Sequence, residues 1–146
     1  MKEFGNEEQT KKSIGPDNMT TWTSDELKKM ETAEELQIAS LRHDGTLRSR
    51  VIIWVVRVCD DLYVRPVNGR TSVWFRGVQT RYEGHIRAGG VDRDVTFVEE
   101  PDAKINDQID TAYATKYHRY APSLISHING SDARAATIKL LPRDEP

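Results

Sequence analysis

Two arginine-bearing glycine loops are where this sequence has the residues for chemistry. The first is Arg42-His43-Asp44-Gly45-Thr46-Leu47-Arg48-Ser49-Arg50, with three guanidinium groups and two hydroxyls around a glycine turn. Planar guanidinium forks pair bidentately with phosphate, and backbone N–H groups at such a turn can cradle an anion. An exposed basic hairpin tip would use the same residues, so both readings stand. The second loop is Asn68-Gly69-Arg70-Thr71-Ser72, immediately before an expected helix start. A helix N-terminus offers unpaired N–H groups and the positive end of its dipole, which favours anions. A plain helix cap is the simpler use. Trp54, Tyr63, Trp74 and Phe75 flank these loops in sequence. A flat conjugated ring can lie against such side chains, although packing into the core is their commoner fate. The expectation is that the two loops meet at one end of the fold and share one anion. Arg48 or Arg50 would come from the first loop and Arg70 from the second.

Other chemistries find no support. His43, His85, His118 and His127 lack the spacing of a metal site, so no metal is expected. There is no phosphate-binding loop, dinucleotide fingerprint or nucleophile elbow. Cys59 stands beside Asp60 and Asp61, which disfavour its thiolate. Tyr113, Lys116, Tyr117, His118 and Tyr120 resemble an acid–base cluster. Their helical spacing favours packing, with the hydroxyls at the rim of the fold.

The elements that must position these residues follow from periodicity and caps. Residues 1–19 carry few large apolar side chains and read as a disordered lead-in to a single domain spanning 20–146. Thr23 and Glu26 have capping-box spacing, and Trp22 with Leu27 can close a hydrophobic staple, which starts a helix at Ser24. Leu36 to Leu41 alternates as a strand, and Asp44-Gly45 marks a hairpin turn. Val51 to Val56 is apolar throughout and predicts a central strand shielded on both faces. Leu62 to Val64, Tyr82 to Ala88, Val91 to Val98 and Ala136 to Leu141 complete about six strands. Thr71 or Ser72 caps a short helix, a longer helix runs from Asp102 to Arg119, and Pro122 opens another. This order is not a βαβ alternation. It predicts an α+β fold in which antiparallel hairpins curl into a small barrel that hides their edges.

Composition bounds the rest. The 146 residues fit one domain, and the single cysteine points to a reducing, cytoplasmic setting. No apolar run is long enough to span a membrane. The net charge is −2, yet residues 36–98 hold ten arginines, no lysine and six acids. That segment alone is basic. The acidic whole argues against nucleic acid as a partner.

The residues also match a known pattern. Trp22, Arg42, Gly45, Trp54-Val55-Val56, Leu62-Tyr63-Val64-Arg65, Asn68-Gly69, Trp74, Gly84, Ile86, Gly89-Gly90, Asp94-Val95, Ala112-Tyr113, Lys116-Tyr117 and Leu141-Pro142-Arg143 resemble the bacterial family catalogued as domain of unknown function 2255. More distantly, the layout is similar to FMN-binding split β-barrels, in particular deazaflavin-dependent nitroreductases. Asp44-Gly45 stands where those proteins have Ser-Gly, and His43 where they have lysine. The resemblance implies a small split β-barrel of mostly antiparallel strands with flanking helices, holding FMN or a deazaflavin. It implies Arg42, Gly45, Arg48, Arg50, Arg65, Asn68 and Arg70 near the phosphate end, and Trp54 and Trp74 near the ring. It also implies an oxidoreductase and a homodimer, with no catalytic side chain named. A protein that keeps the fold as a non-catalytic small-ligand binder or scaffold is the alternative, and a single-stranded nucleic-acid module the third reading.

Overall fold

The computed structural model describes residues 21–143; the expectation for residues 1–19 lies outside them. Helix α1 (Ser24–Thr32) begins as its start signal dictates. The Thr23 hydroxyl accepts from the Glu26 amide at 3.1 Å, and the Glu26 carboxylate accepts from the Thr23 amide at 3.0 Å. Trp22 and Leu27 are both buried in the core, and the Trp22 indole N–H donates to the Leu140 carbonyl at 3.0 Å.

Seven strands follow the resemblance's architecture: β1 (Leu36–Ser40), β2 (Val51–Ile53), β3 (Val55–Val58), β4 (Asp61–Val64), β5 (Glu83–Ala88), β6 (Val91–Glu99) and β7 (Ile138–Pro142). They form one antiparallel sheet in the order β2-β1-β5-β6-β7-β4-β3. The two edge strands, β2 and β3, are consecutive halves of one stretch separated by Trp54. Leu36 pairs with Ile53 on one side of that break and Val55 with Val64 on the other. The chain itself therefore joins the two ends of the sheet, which makes it a nearly closed, split barrel.

This arrangement corrects the reading of Val51 to Val56 as one strand shielded on both faces. Val55 and Val56 are buried, whereas Val51 is 37% and Ile52 62% exposed. A uniform apolar run hides the break because both halves suit a strand; of the first half only Ile53 packs against the core. It also explains why six strands become seven.

Inside the barrel, Leu36, Ile38, Leu62, Val64, Ile86, Val95 and Leu140 pack with Leu27 and Met30 of α1. Gly84 belongs here for steric reasons. A Cβ at this position would lie 2.1 Å from the Ala39 carbonyl oxygen and 2.8 Å from the Phe97 ring. A second apolar layer joins Val56 and Tyr63 to Ile109, Tyr113 and Tyr117 of α3 (Ala103–Lys116) and its C-cap. Helix α2 (Val73–Arg81) is capped by Ser72, whose hydroxyl accepts from the Phe75 amide at 3.1 Å. Helices α4 (Pro122–Ile128) and α5 (Ser131–Arg134) lead back to β7. Among the described residues, no helix is long and apolar enough to cross a membrane.

Candidate functional site

A cleft of about 380 Å³ opens beside the break at Trp54. One wall is Val51 to Trp54. A second is the chain from Arg65 to Asn68, continued by Ser72 and Trp74 at the start of α2. The third is the stretch of α4 that carries Leu124, His127 and Ile128. The lining is mostly apolar with a few polar atoms, the usual make-up of a small-molecule site.

Each wall is fixed by its own sequence. At the break, Trp54 stacks on Tyr117, with ring centroids 4.0 Å apart and planes 5° from parallel, and the tilted Tyr120 ring lies 4.9 Å from Trp54. The Tyr113 hydroxyl donates to the Trp54 carbonyl at 2.9 Å, and the Tyr117 hydroxyl to that of Glu34 at 2.7 Å. Burial pushes both phenols well above their usual range, so they stay protonated and act as struts. Lys116 donates to the Val55 carbonyl at 2.7 Å and the Met30 carbonyl at 3.2 Å. Tyr113, Lys116 and Tyr117, whose spacing favoured packing over acid–base chemistry, thus form the clamp that holds the strand break. In the second wall, Gly69 adopts φ +72°, and a Cβ there would lie 2.7 Å from the Asp132 carbonyl oxygen. Only glycine lets this loop press against α5 and deliver Ser72 as the cap of α2.

Three buried side-chain nitrogens have no partner among the described residues: Arg48 Nε, Arg50 Nη1 and Trp74 Nε1. All three are donors. A buried donor left unpaired costs about 1–3 kcal/mol, so such groups normally meet an acceptor. Trp74 opens onto the cleft. Arg48 lies along α2, where its Nη2 donates to the Thr80 hydroxyl at 3.3 Å. It fits because residue 77 is glycine: a Cβ there would sit 3.1 Å from Arg48 Nε and 3.0 Å from Ser40 Oγ.

The remaining candidates fall elsewhere. Arg65 lines the cleft but is wholly buried, and its donors are used within the protein. Its Nε donates to Thr137 Oγ1 at 2.9 Å, and its Nη1 to Asp110 at 2.6 Å and Asn129 at 3.0 Å. Its Nη2 donates to the side-chain oxygen of Asn106 at 2.8 Å. Desolvation lowers its pKa and the Asp110 carboxylate opposes that shift. Arg65 is a structural tie, not a free phosphate ligand. Arg42 and Gly45 form a self-contained turn. Arg42 donates to Thr46 Oγ1 and to the Leu47 carbonyl at 2.9 Å, and the Gly45 amide donates to the Arg42 carbonyl. Asp44 accepts from Thr46, which holds its carboxyl below the usual value.

Arg70 donates to Glu99 at 2.9 Å and to the Ala135 carbonyl, and lies 4.9 Å over the Phe75 ring. Phe75 and Gly77 are two residues apart, which puts them on opposite faces of α2. The two basic loops therefore do not converge on one anion: Arg48 and Arg70 grip α2 from opposite sides. Of the nine candidates, Trp54, Asn68, Trp74 and the tied Arg65 meet in the cleft. The contributions of Leu124 and His127 were not visible in sequence. Pro122 marks the start of α4, but nothing local says which wall it completes.

A family model described as an uncharacterized protein conserved in bacteria, domain of unknown function 2255, matches residues 26–140. The chain belongs to this family. No curated protein matches it. Solved structures share the split-barrel fold. The conserved hypothetical protein Rv2991 of Mycobacterium tuberculosis is 7% identical with a TM-score of 0.57, covering 92% of this chain and 86% of its own. HutZ, the heme storage protein of Vibrio cholerae, is 12% identical with a TM-score of 0.53, covering 82% and 87%. An F420 reductase is 12% identical with a TM-score of 0.52, covering 82% and 92%. At these identities the likeness is one of fold.

Proposed function

We propose that the cleft binds a flavin- or deazaflavin-type cofactor and that the protein is an oxidoreductase. The observation that carries this reading is the unpartnered Trp74 Nε1 donor on an apolar, ring-sized cleft; Arg48 Nε and Arg50 Nη1, outside its lining, are two further buried donors without a partner among the described residues. Donors without acceptors call for an electron-rich ligand, and an apolar slot calls for a flat one. FMN or a deazaflavin combines a conjugated ring with phosphate oxygens. Trp54 and Trp74 would flank the ring, and the Asn68 carboxamide and the Trp74 N–H would meet its heteroatoms. Arg48 and Arg50 would meet the phosphate. The cofactor, when bound, supplies hydride chemistry; the chain supplies binding, orientation and exclusion of water. Solved structures similar in fold to this chain include an F420 reductase and a heme storage protein, which supports cofactor use by this fold.

A homodimer belongs to the same reading. Val51, Ile52, Val67 and Leu124 leave an exposed apolar rim around the cleft, which a second copy would cover. Titration of FMN and of a deazaflavin into purified protein tests the proposal. Arg48→Ala and Arg50→Ala should each weaken binding about ten- to a hundredfold, the value of a charge-assisted bond. Arg42→Ala and Arg70→Ala should leave it unchanged. Wild-type protein that binds neither cofactor would refute the reading in favour of the non-catalytic small-ligand binder.

A further inference from the structure

The cleft has few polar side chains, and most are already committed. The Ser72 hydroxyl caps α2 and the Arg65 guanidinium is fully engaged. Asn68 and Trp74 Nε1 can bond a ligand but cannot exchange a proton near neutrality. Among the described residues, no aspartate, glutamate, lysine or tyrosine lines the cleft. His127 does, from the exposed side of α4, and its ring has no hydrogen-bond partner among the described residues. The charges of the neighbouring elements are tied to one another. Arg65 of β4's C-terminal extension and Arg134 of α5 both pair with Asp110 of α3, and Asn129 caps that group from α4's end. Among the described residues, nothing pairs with either ring nitrogen of His127, which lines the cleft and is exposed.

We propose that His127 is the proton-transfer residue of this cleft; the inference rests on the cleft being the ligand site. Imidazole is the side chain whose ordinary pKa lies in the physiological range, so it can hold a proton and give it up there. A ring N–H of the imidazolium breaks, an O–H or N–H bond forms on the bound ligand, and the neutral ring takes a new proton from solvent through its exposed side. An apolar cleft strengthens that exchange, because no other titratable group competes for the ligand.

Two readouts on the full chain test it. The first needs no ligand. Trp54 and Trp74 share the cleft with His127, and an imidazolium quenches a nearby indole. Tryptophan emission should therefore depend on pH between about 5.5 and 8 in wild type and lose that dependence in His127→Asn. The second adds riboflavin, which carries no phosphate to titrate in this range. Long-range proton–nitrogen spectra should show the His127 ring shifting on addition while His43, His85 and His118 stay still. Riboflavin affinity should rise several-fold from pH 8 to pH 5.5 in wild type and stay flat in His127→Asn. An emission titration unchanged in His127→Asn overturns the inference even if riboflavin binds. So does bound riboflavin that leaves the His127 ring unshifted. If the emission transition depends on His127 but neither riboflavin nor FMN binds, the placement of His127 is supported and it is the cofactor reading that falls.

Discussion

Replacing Arg65 should be the most damaging single change to this fold. Its side chain is fully buried and bonds Thr137, Asp110, Asn129 and Asn106, residues spread over α3, the end of α4 and the approach to β7. Arg65→Lys keeps the charge but replaces a fork of five donors with one point, so it cannot reach all four partners. Removing one side of a buried pair costs about 3–5 kcal/mol. Here Asp110 keeps Arg134 and is 28% exposed, which places the loss toward the lower end, about 3 kcal/mol. Against a total stability of about 5–15 kcal/mol that is a large fraction. Urea denaturation reads it directly. With a slope of about 1–3 kcal/mol/M, the midpoint should fall by about 1–3 M with the slope unchanged. A loss below about 1 kcal/mol in Arg65→Lys would refute the assignment of Arg65 as the tie between barrel and helices. Arg65→Met separates two cases: equal or greater stability than wild type would mean that the network confers position and no net stability.

Further outcomes follow from the same structure. Ile52→Ala should change stability by less than about 0.5 kcal/mol, whereas Ile86→Ala, buried in the barrel, should cost about 2–5 kcal/mol in the same denaturation experiment. Gly77→Ala should keep or slightly raise thermal stability through helix propensity, yet weaken FMN binding as Arg48→Ala does, because the new Cβ displaces the Arg48 side chain. Burial pushes the Lys116 pKa down to about 8. Between that value and the ordinary lysine range the unfolded chain binds more protons than the native one, so stability should rise with pH from about 8 to 9.5. Lys116→Met should abolish that rise in denaturation midpoints measured across the interval.

What was legible in sequence was local. The capping box at Thr23 and the Asp-Gly turn depend on residues within a few positions and stand as read; of Thr71 and Ser72 it is Ser72 that caps α2, and the helix expected from Asp102 to Arg119 runs over Ala103–Lys116 with Asp102 as its cap. The barrel itself followed from hairpin order. The break at Trp54 was hidden because its neighbours are apolar on both sides, and only the sheet's closure shows that Ile52 and Val56 face different surroundings. Arg65 misled for a different reason. Its partners lie 41 to 72 residues away, so the resemblance alone put Arg65 near a phosphate, whereas in the fold it pairs with Asp110. The clamp of Tyr113, Lys116 and Tyr117 on the strand break was likewise a long-range fact, although the packing role of the tyrosines was foreseen from their spacing. The cleft's α4 wall needs the whole chain to be folded before His127 and Trp54 become neighbours.

The central claim is that the cleft beside Trp54 takes a flavin-class cofactor through donors that the protein leaves unpaired. Titration of FMN into wild type and Trp74→Phe tests it most directly, because the substitution keeps an aromatic ring and removes the Nε1 donor. Wild type should bind FMN and Trp74→Phe should bind it about tenfold more weakly, the value of one hydrogen bond in a desolvated site. Equal affinity in the two proteins, or no binding by wild type, would contradict it.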